Sequence, residues 1–195
     1  MGGGLIVSAD RAKVGTARAT SGATIFSGDR LSTEELGSLQ VRAGAARLLL
    51  TASSHAIWGA EEGKPEATLT GGTAVFSTAN ATAFVLRAGT AVFRPQNDQP
   101  TVADVTLLSS KELIVRCSRG ALTIAVEDDL RVIPEGSAYR VVLDANAASA
   151  ETAHRWDQKQ PQKAGKSKFI WYAIAFTALV TLFAVHEALE SPDRP

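Results

Sequence analysis

The side chains best suited to metal or acid–base chemistry in this sequence are three histidines, one cysteine and a few paired acids. His55, His154 and His186 are far apart, and none has a partner at a ligand spacing such as His-Glu-x-x-His. His186 and Glu190 share i, i+4 spacing, but two ligands do not make a metal site. Glu127-Asp128-Asp129 could suggest calcium, yet no Asp-x-Asp-x-Asp-Gly loop surrounds it, and between two apolar runs it reads as a solvated turn. Glu34-Glu35 and Glu61-Glu62 are further acid pairs, expected in loops, and general acid–base catalysis needs carboxylates at a separation that sequence does not set. No Gly-x-Ser-x-Gly elbow, P-loop or dinucleotide fingerprint is present. Cys117, the only cysteine, excludes an intramolecular disulfide. It lies in the run Leu113-Ile-Val-Arg-Cys117 and reads as a small core residue. A reactive thiol would need a positive, partly exposed setting; Arg116 and Arg119 are near, but no histidine is. Trp58, Phe76 and Phe93 could line a ligand surface, but aromatic residues in such runs belong more often to a core. The expectation is a non-enzyme, with no catalytic residue, no cofactor and no metal.

The elements that would position these groups are strands. From about Lys13 to Leu143 no stretch shows the 3.6-residue period of an amphipathic helix. Short runs rich in Val, Ile, Leu, Phe and Thr recur instead, closed by Gly, Pro, Asn or Asp. They are Val14–Ala19, Ala23–Phe26, Leu39–Arg42, Arg47–Thr51, Ala67–Thr70, Thr73–Ser77, Ala83–Arg87, Thr90–Arg94, Val102–Leu108, Leu113–Cys117, Leu122–Val126, Leu130–Ile133 and Tyr139–Leu143. Several alternate with one buried face: Leu39/Val41, Leu48/Leu50, Leu122/Ile124/Val126 and Tyr139/Val141/Leu143. The sequence also echoes itself. Gly72-Thr-Ala-Val-Phe76 recurs as Gly89-Thr-Ala-Val-Phe93, and Val41-Arg-Ala-Gly-Ala-Ala46 is matched by Leu86-Arg-Ala-Gly-Thr-Ala91. Recurrence of a turn glycine and a strand suggests stacked, similar rungs. The fold class is therefore all-β: a solenoid-like or curled β-sandwich of many short strands.

One segment does not belong to that domain. From Phe169 to Val185 the chain carries no charge, glycine or proline, and as a helix it would span about 25 Å, near the short end of what crosses a bilayer. Trp171 and Tyr172 would lie at the first interface. The lead-in Asp157-Gln-Lys-Gln-Pro-Gln-Lys-Ala-Gly-Lys-Ser-Lys168 reads as a linker. The expected organisation is an N-terminal tail (1–11), a β domain (12–145), a polar and basic linker (146–168), a transmembrane helix (169–186) and a short acidic tail (187–195). Arg155, Lys159, Lys163, Lys166 and Lys168 precede the helix, while only Arg194 follows it. The positive-inside rule then places the β domain in the cytoplasm, with Lys159, Lys163, Lys166 and Lys168 as topology determinants. Met1–Asp10 lacks the basic n-region and long apolar stretch of a secretory signal. A signal peptide missed through a wrong start would put the domain outside instead. With Lys+Arg equal to Asp+Glu, the net charge is zero, and no footprint for nucleic acid is expected.

The stretch Gly22-Ala-Thr-Ile-Phe-Ser-Gly28-Asp29-Arg-Leu31-Ser-Thr33 resembles the opening of FecR-like domains, in which a Gly-Asp-x-Leu-x-Thr pattern leads into successive short strands. Leu39-Gln-Val-Arg-Ala-Gly, Arg47-Leu-Leu-Leu-Thr, Ala56-Ile-Trp58 and Gly72-Thr-Ala-Val-Phe76 look like its following rungs. The resemblance covers about Ala12 to Leu143. Gly28-Asp29 suits a tight turn, with Asp29 capping backbone amides and Thr33 closing a strand, so these three are structural residues. The resemblance implies a β module that receives or relays a signal at a membrane. In that family the helix precedes the β domain, which faces the periplasm; here the apolar segment follows it. The expected function is a membrane-tethered, non-catalytic β module for protein interaction or signalling, with the bilayer and an unidentified protein as partners. The alternatives are a FecR-type transmembrane regulator with the domain outside, and an enzyme using carboxylates alone.

Overall fold

A computed structural model of the chain describes residues 3–61, 63–126, 129–143 and 170–173. These residues form an all-β structure without a helix: β1 Gly4–Val14, β2 Ala17–Arg18, β3 Thr24–Ile25, β4 Arg30–Ala43, β5 Ala46–Leu50, β6 His55–Glu61, β7 Lys64–Thr78, β8 Val85–Ala88, β9 Ala91–Pro95, β10 Thr101–Ser109, β11 Glu112–Arg119, β12 Leu122–Val126, β13 Asp129–Ile133, β14 Ser137–Val142 and β15 Ile170–Ala173. Period-two alternation is what makes them strands. Leu122, Ile124 and Val126 are buried between half-exposed Thr123 and Ala125, and Leu39, Val41, Leu48 and Leu50 are buried likewise.

Three long strands are shared between two layers. β4 pairs with β6 through Arg30–Ser32 and with β5 through Leu39–Ala43. β1 follows it, pairing at Ala12–Val14 with the first part of β4 and at Leu5–Asp10 with the second. β7 pairs with β6 up to Gly71 and, after a bend at Gly71-Gly72, with β10 from Gly72 and with β5 from Ala74 onward. One layer then continues β7–β8–β9–β12–β13, and the other β7–β10–β11–β14–β15. All described pairings are antiparallel except β7 with β8. Strands that change layer at bends and bulges make the corners of such a sandwich. The stack Trp58–Phe84–Phe76, with successive ring centroids 6.0 Å apart, joins the two layers in a common core.

The Arg-Ala-Gly echo marks hairpin corners rather than stacked rungs, whereas of the two Gly-Thr-Ala-Val-Phe copies the first lies wholly within β7. Gly44-Ala45 joins β4 to β5 and Gly89-Thr90 joins β8 to β9, each a two-residue turn with positive φ at the glycine alone. This is the type II′ geometry that suits the twist of two antiparallel strands. The flanking alanines, Ala43/Ala46 and Ala88/Ala91, are buried, and Arg42 and Arg87 on the alternate positions face out.

Several boundaries differ from those expected. Most of the segment 1–11, expected as a tail, is strand: β1 buries Ile6 and Ala12 and is the partner of β4 along much of its length. Val14–Ala19 is not one strand but a turn at Gly15-Thr16 between β1 and β2. Ala67–Thr70 and Thr73–Ser77 are halves of one bent strand, β7. Glu34-Glu35 lies within β4, at an irregularity where its register with β1 shifts. The expected helix from Phe169 does not begin there, because Ile170–Ala173 pairs antiparallel with β14. Ile, Trp and Tyr favour strands, and the free edge of β14 offers them backbone hydrogen bonds. The remainder of 169–186, the linker 146–168 with Lys159, Lys163, Lys166 and Lys168, and the tail 187–195 lie outside the described residues. Among the described residues, no helix is long and apolar enough to cross a membrane.

Candidate interaction surfaces

The Gly28-Asp29 motif closes a turn over Phe26–Asp29. Gly28 has φ +95°, the Asp29 amide donates to the Phe26 carbonyl, and Asp29 Oδ2 accepts the Phe26 amide at 2.8 Å. The turn is clamped to β6 on both sides: Gly28 N donates to Trp58 O and Trp58 N to Asp29 O, each at 2.8 Å. Thr33 is buried and reaches a different place. Its Oγ1 donates to Thr51 O and accepts the Ser54 amide at 2.9 Å. Ser54 Oγ in turn donates to Thr73 O at 3.0 Å and accepts the Thr73 amide at 2.9 Å. Thr33, Ser54 and Thr73 thus tie β4, the β5–β6 loop and the bend of β7 together. Buried hydroxyls with complete partners such as these fix a bend.

Cys117 is fully buried, as its apolar neighbours imply. Burial, opposed by a backbone hydrogen bond with Arg119 and reinforced by Glu135 and Asp104, pushes its thiol up to about 11. In the unfolded chain the thiol ionises near its ordinary value of 9.0, so above that pH the unfolded state alone loses the proton. Cys117 therefore favours unfolding increasingly from about pH 9 to about pH 11. Replacing it with Ala is expected to flatten this part of the stability–pH curve, as read by urea melts of both chains. A thiol reagent at pH 8 should label the native chain only as fast as it unfolds.

The outer face of the first layer carries the most functional character. One row of cross-strand partners runs Arg30–Ile57–Thr68–Arg87–Val92–Ala125–Leu130. Arg87 lies between two carboxylates: its Nε is 3.1 Å from Glu66 and its terminal nitrogen 2.7 Å from Glu61. The Glu66 hydrogen bond, with smaller contributions from Glu61 and against some desolvation, raises the Arg87 pKa. Beside this triad Glu61, Lys64, Glu66, Thr82, Val85 and Arg94 line an open cleft of about 290 Å³. The two carboxylates are both engaged by Arg87. At the end of the row β13 is, among the described residues, an edge strand, with Leu130 and Val132 exposed, Leu130 by 63%. Arg131 lies on the opposite face, paired with Asp129 at 3.3 Å.

The second layer shows a different surface. Arg42 and Arg47 are direct cross-strand partners, both exposed, and among the described residues neither has an acidic partner. Their row continues through Ser77 and Val102 to Arg119, also without an acid. Like charges directly opposite destabilise a sheet, so Arg47→Thr is expected to stabilise the domain by about 0.5 kcal/mol at low salt, and less at high salt. Thermal melts at two ionic strengths check this.

His55 is exposed on β6, and its carbonyl accepts the Thr70 hydroxyl. His154, His186, Glu127 and Asp128 lie outside the described residues. Among the described residues no three His, Cys, Asp or Glu side chains are grouped to hold a metal. The sequence reading missed the Arg87 triad, the β13 edge and the Arg42/Arg47 pair. Each depends on strand neighbours, which only the pairing reveals; the Val-Arg-Ala-Gly and Leu-Arg-Ala-Gly echo was the available signal for two of these arginines.

No family model and no curated protein matches the chain. Two crystal structures of a protein described as a "putative anti-sigma factor" from Parabacteroides distasonis are similar to it, each with a TM-score of 0.49 and 13% identity. The match covers 58% of this chain and 54% of that one, so the chain spans about half the length of the solved protein.

Proposed function

We propose that the chain is a membrane-tethered, non-catalytic β module that docks a protein partner through the β13 edge and so serves in signalling. The observation that carries this is the edge itself. Among the described residues β13 pairs on one side only, with β12, and leaves Leu130 and Val132 exposed beside the Val92–Ala125 row. An edge strand with outward apolar side chains suits strand addition, in which main-chain hydrogen bonds give affinity and alternate side chains give choice of partner. The inward-placed Arg131 is the kind of charge that keeps such an edge from pairing indiscriminately. The FecR-like stretch supports a regulatory role, since its Gly28-Asp29 turn anchors on Trp58 at the layer junction.

The tether in this reading is the apolar run Phe169 to Val185, which forms when Ile170–Ala173 leaves the edge of β14 for the bilayer, and the flanking lysines favour a cytoplasmic domain. A photo-crosslinking residue at position 130, introduced into the full chain in native membranes, should give one discrete adduct that is absent when it is placed at exposed Leu36. The same smear from both positions would sink the docking face. Reporters fused after Leu143 and after Pro195 locate the two sides. A cytoplasmic reporter at Leu143 supports the proposal, and an external one favours the FecR-type regulator with its domain outside.

A further inference from the structure

We infer that Ile170–Ala173 is a latch: it closes the β14 edge while the chain is off the membrane and opens that edge when the tether inserts. The inference rests on the tethered reading above and adds what insertion does to the domain. β15 pairs with β14 through Val142↔Ile170, Val141↔Trp171, Arg140↔Tyr172 and Tyr139↔Ala173, and with no other strand among the described residues. The same four residues stand near the start of the apolar run Phe169 to Val185. They cannot serve both places at once. A backbone bonded to a strand of the β domain is not the internally bonded helix that a bilayer requires. Nor can they be spared from the span. Ile174 to Val185 alone would reach about 18 Å as a helix, against a hydrocarbon core of about 30 Å.

Two features make the closed state one that can open. The pairing is short, and it joins residues as far apart in sequence as Val142 and Ile170, so closing it costs chain entropy. β14, for its part, does not depend on β15. On its other side it pairs with β11 from Glu112 to Cys117, and it buries Ala138 and Val141. Release of β15 therefore leaves β14 in the sheet with a row of unpaired backbone groups, which is what an edge offers to a further strand. The ladder shows which groups these are. The Leu143 amide donates to the Lys111 carbonyl at 2.7 Å. Alternation along an antiparallel strand then turns the Tyr139 and Val141 amides to β11, and those of Arg140 and Val142 to β15. Insertion and edge opening are one equilibrium, and the coupling is reciprocal: a strand bound at the open edge holds the tether free for the bilayer.

The test is hydrogen exchange resolved to single amides by fragmentation mass spectrometry. It uses the full chain with and without phosphatidylcholine vesicles, and flotation is read in parallel. Without vesicles, the amides of Tyr139, Arg140, Val141 and Val142 are all expected to exchange slowly. In the floated fraction Arg140 and Val142 should exchange about tenfold faster, with Tyr139 and Val141 unchanged. Tyr172→Pro removes the amide that β15 offers to the Arg140 carbonyl, at a place early enough in the apolar run for a helix to tolerate proline. This variant should show the fast exchange even without vesicles, and should float more completely than wild type. A disulfide between Tyr139→Cys and Ala173→Cys locks the latch, at a pair where the strands approach closely. It should cut flotation several-fold, with recovery on reduction; Cys117 is buried and takes no part. Flotation with Arg140 and Val142 still protected overturns the latch and leaves the tether standing, as does equal flotation of the locked and reduced chains. Fast exchange at both amides in wild type without vesicles overturns the latch as well. Failure of Tyr172→Pro to float overturns the tether, and the latch with it.

Discussion

A chain with Gly72→Ala is expected to lose about 3–5 kcal/mol of stability, lowering the melting temperature by roughly 10 °C. Two independent causes add. Gly72 has φ +78°, a region that side chains rarely adopt. A Cβ there would also lie 2.6 Å from the Ser53 carbonyl oxygen and 2.6 Å from Ser54 Cα, both backbone atoms that cannot turn aside. It would further approach Ser54 Oγ to 2.5 Å, the hydroxyl that holds Thr73 to the β5–β6 loop. The substitution therefore strains the bend of β7 and breaks the polar tie that fixes it. Circular dichroism melts check the magnitude. Gly71→Ala is the control, because a Cβ there would meet only His55 at an ordinary 3.6 Å; a similar loss in both variants would remove the bend as the explanation.

Trp58→Ala carries the second large effect, also about 3–5 kcal/mol. Trp58 is 1% exposed and stacks on Phe84, which in turn contacts Phe76. Removing the indole opens a cavity at the junction of both layers, and rigid neighbouring strands can collapse into it only in part. Its backbone also clamps the Phe26–Asp29 turn, so the first hairpin region should loosen along with the core. Trp58→Phe keeps most of the contact and should lose less than half as much. Urea unfolding of the three chains separates the outcomes, and equal midpoints for wild type and Trp58→Ala would mean the stack contributes little. Against a typical total of about 5–15 kcal/mol, either variant leaves a domain close to its threshold.

Much of the fold was legible because burial follows the alternation. Leu122–Val126 was read to the residue, and the core roles of Cys117, Phe76 and Phe93 follow from their apolar neighbours. What escaped was strand with little apolar signal. Ser8-Ala-Asp-Arg-Ala-Lys13 is polar because β1 is largely exposed between Ile6 and Ala12, so it looked like a tail. Glu34-Glu35 looked like a loop because an irregularity in β4 turns that stretch to solvent. Gly71-Gly72 looked like a break between two strands, since a bent continuous strand and a turn share the same glycine signature. Of the interaction surfaces, the individual arginines were visible but not their opposition. That depends on pairing between residues close in sequence, Arg42 with Arg47, and distant ones, Arg87 with Glu61 and Glu66.

The sharing of β1, β4 and β7 between both layers bears on how the domain comes apart. In a sandwich of separable sheets, one sheet can open while the other persists, and its amides exchange with solvent at a lower free energy. Here each long strand is spliced into both, so opening one layer drags the other with it. Slowly exchanging amides on β12 and on β11, in opposite layers, should therefore report the same opening free energy and respond alike to denaturant. A strand added at β13 would raise both together, which makes the whole domain, and not one edge of it, the unit that registers a bound partner.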